Sequence, residues 1–391
     1  MEITTQKIPI KIWTDNIEDG ALEQAKHLAD LPFAFHHIAI MPDTHQGFGM
    51  PIGGVLATQG VVIPNAVGVD IGCGMCAVKT SLTYIDTKTL KKIMGEVRKV
   101  IPVGFEHQQK KESEHLMPKM EEIIYPVIDK EYENALTQLG TLGGGNHFIE
   151  IQKGSDGHIW IMIHSGSRNL GKQVADYYNK LAIKLNKKWF SRVAEDWELA
   201  FLPIESEEGQ SYLREMNYCV EFALANRMLM MNRIIEIIKS ICLEDFGENQ
   251  LSFEPMINIA HNYAKLEHHL GKNVMVHRKG ATLATKETIG IIPGSQGSKS
   301  YIVKGKGNIM SFNSCSHGAG RKMGRIVAEK TLNLEEEVKR LDNMGVLHAI
   351  RGVKDLDEAP GAYKNIDEVM KNQEDLVEIL VGLTPLAVIK G

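Results

Sequence analysis

Side chains able to ligate a metal ion or attack phosphorus recur in five short segments that sit in glycine-rich sequence rather than in regular helix. They are Asp70-Ile-Gly-Cys73, Gly145-Asn146-His147, Ile163-His164-Ser165-Gly166, Ala260-His261-Asn262 and Ser316-His317-Gly318-Ala319-Gly320-Arg321. Imidazole, thiolate and carboxylate groups on separate loops converge only if the fold brings them together, and glycine lets backbone and metal or phosphate approach closely. The chain reads as an enzyme.

Each segment also has a plainer reading. Asp70 and Cys73 put a hard carboxylate and a soft thiolate on one tight loop, and sulfur has lone pairs enough to bridge two metals; a turn holding a buried free cysteine fits that loop equally well. Cys73 and Cys76 form a CxxC, yet Ala77-Val78-Lys79-Thr80 continues as a strand, not as the helix that would depress a redox thiol. A lone His147 would be an ordinary turn histidine. Gly143-Gly144-Gly145 before it argues otherwise, because each glycine costs up to ~1 kcal/mol relative to alanine unless something must come close. Residues 294–300 lack the glycine spacing and the Gly-Lys-Ser/Thr order of a Walker loop. The glycines after His317 follow a poor core strand for a dinucleotide fingerprint, and HExxH and Lys-x-Asp-Gly are absent.

The elements that must position these groups fall into blocks. Residues 30–83 alternate short β-branched runs with glycine and proline, a pattern of short strands and tight loops. Residues 86–100 and 119–139 show helical spacing, and the apolar run Ile159-Trp-Ile-Met-Ile-His164 predicts a buried strand with His164 at its C-terminal end. Residues 170–189 and 211–243 carry apolar residues three and four apart, with Met228, Met230 and Met231 as core filler. Strands are expected at 273–276, 290–292, 301–303 and 386–389, and a helix from the glycine-rich segment at 317–320 to about residue 341. The fold class is α+β: one large catalytic domain over residues 1–391, mixed β-sheets flanked by helices, with residues 170–247 a helical insertion within it.

With 391 residues, 43% hydrophobic and 24% charged, the chain can bury a large core. A net charge of -5 excludes a uniformly basic surface. Residues 272–328, however, hold ten Lys or Arg against the single acid Glu287, a local patch suited to a polyanion; residues 190–254 are acid-rich. Five scattered cysteines suit a reducing compartment. Residues 1–7 lack a basic run leading into an apolar one, and no apolar run nears the ~20 residues of a membrane span, so a soluble cytoplasmic protein is expected.

Taken together, the motifs closely resemble the RtcB family of GTP-dependent RNA ligases. The matching segments are Met41-Pro-Asp-Thr-His45, Val67-Gly-Val-Asp-Ile-Gly-Cys-Gly-Met75, Leu139-Gly-Thr-Leu-Gly-Gly-Gly-Asn-His-Phe-Ile-Glu150, His164-Ser-Gly-Ser-Arg168, His261-Asn262, Arg278-Lys-Gly280, Ile292-Pro-Gly-Ser295, Ser316-His-Gly-Ala-Gly-Arg321 and Lys390-Gly391. The resemblance implies two Mn(II) ions bridged by Cys73, one completed by Asp70 and His147, the other by His164 and His261. From ligand type alone, zinc would be the choice. It further implies that His317 attacks the α-phosphate of GTP. Asn146, His147, Phe148, Ile149, Glu150, His261, Asn262, Pro293, Gly294, Ser295, Gln296, Ser300, Gly318, Ala319, Gly320, Tyr363 and Lys390 are then expected at the guanine nucleotide.

The implied reaction joins an RNA 2',3'-cyclic phosphate or 3'-phosphate end to a 5'-hydroxyl end through a covalent guanylyl-histidine and a 3'-guanylylated RNA. The RNA would be tRNA halves or cleaved RNA, and the enzyme a monomer, with an archease-type protein as a possible activator. Two rivals remain at this stage. A dinuclear phosphoesterase would open cyclic phosphates without ligation and leave His317 idle. A non-catalytic RNA-binding scaffold would need neither metal nor GTP.

Overall fold

A computed structural model describes residues 1–246 and 251–391, with side chains described for 1–242 and 251–391. Two mainly antiparallel sheets organise it. The larger has seven strands in the order Ile257–Ala260, Gly74–Lys79, Ile159–Ser165, Phe148–Gly154, Val377–Lys390, Ser300–Gly305, Ile289–Ile292. The six-stranded sheet runs Glu2–Ile3, Ile10–Ile12, Ala34–His45, Ile52–Thr58, Lys272–Lys279, Asn262–His269. Its one parallel pair joins Ile10–Ile12 to Ala34–His45.

The strand Ile159–Ser165 shows why its sequence reads as a continuous apolar run: all seven residues are buried, because both faces of the sheet are covered. Ile159, Ile161 and Ile163 pack on the core beneath the helices Thr87–Val100 and Glu207–Phe246, while Trp160 and Met162 face a second core with Leu341 and Ile350. Each of those isoleucines contributes about 1.5–3 kcal/mol by leaving water. Strand alternation then places His164 on the Trp160 and Met162 face. Neighbouring strands repeat the division: Ile149 and Ile151 enter the helix-side core, leaving Phe148 and Glu150 on the other face, which Lys390 joins opposite Phe148.

The long helices of the expected 170–247 segment are Arg168–Lys188 and Glu207–Phe246, and its last residue lies outside the described residues. Two helical expectations are corrected. The stretch 119–139 is helical only over Ile128–Gln138, because Pro126 lacks an amide hydrogen; the N–H groups of Val127 and Ile128 instead donate to Glu215 Oε1 at 2.8 and 2.9 Å. The helix expected up to about residue 341 is two, Arg325–Thr331 and Leu334–Asn343, separated at Asn333, whose side chain caps the second by accepting from Glu335 and Glu336. The strand expected at 386–389 is longer, Val377–Lys390. Among the described residues no helix is long and apolar enough to cross a membrane.

Candidate active site

His261 is the residue at which the chain steps from one sheet to the other. It lies between Ile257–Ala260 of the larger sheet and Asn262–His269 of the smaller, and its N–H donates to Cys73 O at 2.8 Å. That corner gathers the loop groups. Cys73 Sγ lies 3.2 Å from His164 Nε2 and 3.5 Å from His147 Nε2. His164 Nε2 lies 3.4 Å from His261 Nε2, and His147 Nε2 3.0 Å from Asp70 Oδ2. Two candidate ligand groups result, Asp70/Cys73/His147 and Cys73/His164/His261, sharing the thiol.

The donor set fits divalent metal. His147 Nδ1 and His164 Nδ1 are turned to the carbonyls of Leu142 at 3.0 Å and Asn146 at 3.1 Å, which leaves both Nε2 atoms aimed at the cluster. Burial, then neighbouring imidazoles, holds His164 and His261 well below the usual histidine range, so both are neutral, the form that can ligate a metal. Burial, then Asp70, pushes the Cys73 thiol up, a cost that a bound cation reverses. At Gly166 a Cβ would overlap the Asp70 carboxylate, so a larger residue would displace that carboxylate from His147. Cys76 is no ligand: it is fully buried on the helix side, pushed up to about 12 by burial.

Beneath the cluster sits Arg227, fully buried on the long helix. Its guanidinium donates to Gly72 O at 3.0 Å, Ser165 O at 2.8 Å and Asn258 Oδ1 at 2.7 Å, tying the Cys73 loop to the end of the His164 strand. Its helical spacing gave no sign of that role. Arg168 ended a segment singled out in the sequence, without a role. It holds a left-handed φ of 58° and donates to Thr141 Oγ1 at 3.2 Å beside the triple glycine.

His317 follows the buried strand Ser314–Ser316, and its ring lies 4.8 Å from that of His261, centroid to centroid. Its Nδ1 is 2.6 Å from Asp43 Oδ2, and the same oxygen accepts the N–H groups of His317 at 3.0 Å and Gly318 at 3.2 Å. Asp43 is fully buried; burial alone would raise its carboxyl, but His317 holds it below the usual range. A carboxylate on Nδ1 leaves Nε2 as the free nucleophilic atom. Asp43 stood within a motif singled out in the sequence without a role; the signal was an ionisable residue inside an otherwise buried strand. At Gly320, φ is 72° and a Cβ would overlap the Asp43 carbonyl oxygen, so glycine is obligatory.

A cavity opens from this histidine. It is lined by Asn146, Phe148, Glu150, His164, Pro293, Gly294, Ser295, Gln296, His317, Gly318, Ala319, Gly320, Tyr363 and Lys390, together with His45, Ile52, Arg321, Arg325 and Glu358. Of the residues expected at a nucleotide, His147 and His261, also expected as metal ligands, lie in the candidate ligand groups, and the Ile149 side chain points into the opposite core. Asn262 spends its amide on Asp70 O at 3.0 Å and on the Gly280 N–H at 2.7 Å. Ser300 stands behind the wall, accepting from Gly294 N–H at 3.1 Å.

Electrostatics divide the cavity. Burial, only partly countered by Lys390, pushes Glu150 up to about 8. Glu358, unforeseen in the sequence, is 5% exposed and receives Arg321 at 3.1 Å, Arg325 at 3.1 Å and Lys390 at 3.5 Å. These pairs correct the reading of residues 272–328 as a free basic patch. Arg278 is fully buried against Glu267 at 2.5 Å, and Lys279 is buried on the carbonyls of Phe48 at 2.6 Å and Asn65 at 3.0 Å. With Arg321, three of the ten cations are turned inward; Arg325 pairs with Glu358 while half exposed, and Lys272, Lys286, Lys299, Lys304, Lys306 and Lys322 are exposed.

The family described as tRNA-splicing ligase RtcB matches residues 24–126 and 119–391. The chain belongs to the RtcB family. The RNA-splicing ligase RtcB of Escherichia coli strain K12 is 37% identical over 410 residues, covering 100% of this chain and 99% of that protein. The tRNA-splicing ligases RtcB of Nanoarchaeum equitans and Methanococcus maripaludis are 32% and 33% identical over 461 residues, each covering 98% of this chain and 95% of the relative. The α+β fold class agrees with that membership.

Proposed function

We propose that this protein is a GTP- and Mn(II)-dependent RNA ligase that joins 2',3'-cyclic phosphate or 3'-phosphate ends to 5'-hydroxyl ends, with His317 as the covalent nucleophile. The observation that carries the reading is the position of His317, with Asp43 on Nδ1, the metal-ligand cluster beside it and the polar cavity in front. Asp70, Cys73 and His147 would hold one ion and Cys73, His164 and His261 the other. Bound there, the metals supply positive charge to phosphate oxygens and orient them.

GTP enters the cavity, where Glu150 and Lys390 address the base and the N–H groups of Gly318 to Gly320 line the phosphate end. His317 Nε2 attacks the α-phosphorus; the new N–P bond forms as the bond to the β-phosphate oxygen breaks, and pyrophosphate leaves. Asp43 retains the proton on Nδ1 and stabilises the cationic ring of the guanylated histidine. Water opens a cyclic phosphate to a 3'-phosphate, one of whose oxygens displaces His317 from the guanylate. The 5'-hydroxyl then attacks the activated 3'-phosphate, GMP departs, and a phosphodiester remains. We place the enzyme in the cytoplasm as a monomer acting on tRNA halves or cleaved RNA, with an archease-type activator, and we read residues 170–247 as a helical insertion in a single catalytic domain.

The test is intact mass after incubation with GTP and Mn(II). A GMP-sized increase in the wild type and none in His317→Ala is expected. An adduct that persists in His317→Ala would remove His317 as the nucleophile.

A further inference from the structure

Phe105 is fully exposed, at 103% of its reference area, on a short turn that the sequence does not mark out. Single exposed apolar residues are common. This one differs in what holds it. Gly104 N–H donates to Gly143 O at 2.9 Å, and Val103 bridges Gly143, so the turn is built onto the triple glycine that presents His147. A Cβ on Gly144 would meet Gly104 Cα at 3.6 Å, which puts the two loops in contact. Arg168 reaches Gly104 O at 3.5 Å. On the far side Gln108 fastens the turn, its N–H to Thr137 O at 2.8 Å and its amide to Gly140 O at 3.0 Å. Only Phe105, Glu106 and His107 project between these anchors.

The result is a rigid aromatic face beside the metal-ligand loop. Two cations flank the same loop: Arg168 next to Gly143 and Gly104, and Arg325, half exposed and paired with Glu358, next to Gly145. A flat π face with guanidinium groups close by suits one ligand chemistry, a nucleotide whose base stacks while its phosphate meets the cations. Because the turn is fixed by its backbone bonds, stacking would order only two side-chain torsions.

We infer that Phe105 is a stacking platform for an unpaired nucleobase at an RNA end, positioning the phosphate or hydroxyl of that end at the metal cluster. The inference rests on the RNA-joining reading for its ligand. It locates the RNA on the triple-glycine side of the site.

The experiment uses two short single-stranded RNAs, one with 2-aminopurine at a 3'-phosphate end and one with it at a 5'-hydroxyl end. Each is titrated with wild type, Phe105→Leu and Phe105→Trp, reading 2-aminopurine quenching and the dissociation constant. Wild type should quench at least one probe, Phe105→Leu should lose that quench and bind roughly ten-fold more weakly, and Phe105→Trp should restore both. Equal quenching and affinity for wild type and Phe105→Leu with both probes would overturn the inference. Wild type is also weighed after incubation with GTP and Mn(II). Absence of guanylate would defeat the proposed function, and the binding titrations would still decide whether Phe105 stacks.

Discussion

Replacing Asp43 by asparagine isolates what the buried carboxylate does for His317. The side chain keeps its shape, and its amide oxygen can still accept the His317 and Gly318 N–H groups that Asp43 Oδ2 now receives at 3.0 and 3.2 Å. What disappears is the charge 2.6 Å from Nδ1. A hydrogen bond to a charged partner contributes roughly 1.5–3 kcal/mol, and each ~1.4 kcal/mol is a tenfold change in rate, so guanylation should slow roughly 10- to 150-fold. An amide turned the other way would present its NH2 to Nδ1 and select the unreactive tautomer, which places the expectation toward the upper end of that range. The GTP cavity is not altered, since Asp43 does not line it, so the GTP concentration for half-maximal rate should stay within a few-fold. The assay is a single-turnover time course of the GMP adduct by intact mass, with thermal unfolding run alongside. Guanylation of a normally folded Asp43→Asn within about threefold of wild type would refute the argument that this charge-assisted contact drives the step.

Because Cys73 belongs to both ligand groups, Cys73→Ala should lose metal from both positions and His147→Ala from one, read as metal per chain by plasma mass spectrometry; equal losses would contradict a shared thiolate. Arg227→Leu strands the carbonyls of Gly72 and Ser165 and should destabilise by about 2–5 kcal/mol in urea unfolding, and a change below ~0.5 kcal/mol would deny it that role. Gly320→Ala should abolish guanylation while leaving metal content intact, since its Cβ collides with the Asp43 carbonyl and not with a ligand. Glu150, raised in the fold to about 8 from an ordinary carboxylate value, binds its proton more tightly folded than unfolded. Its favourable contribution is therefore complete below about pH 4.5 and is lost as pH rises through about 8, a swing on the order of 3–5 kcal/mol in the nucleotide-free protein. Glu150→Gln should flatten that part of the pH–stability curve; an unchanged slope would show that Glu150 ionises freely.

The convergence of Asp70, Cys73, His147, His164 and His261 was legible because thiol, imidazole and carboxylate on glycine loops form an uncommon chemical set, and each loop carries its own signal. The strand behind His164 was legible for a different reason, since a run buried on both faces leaves no polar alternation. Asp43, Glu358 and Arg227 carry no comparable mark. Glu358 sits in an acidic stretch with Asp355 and Asp357 and resembles any solvated turn until Arg321, Arg325 and Lys390 close on it. Arg227 lies among apolar helical residues and reads as a surface position, and only the packing of the helix on the sheet turns it inward. The basic segment shows the same limit in charge counting. Lys279 and Arg278 are adjacent and equal in formal charge, yet Arg278 is ionised against Glu267 while burial lowers Lys279 to about 7, so only one is a fixed cation near neutral pH. Formal charge along a chain measures field only where the side chains stay in water. Here Arg321 and Arg325 are spent on the buried Glu358 at the cavity, and the free positive charge of the segment falls to the six lysines that remain exposed.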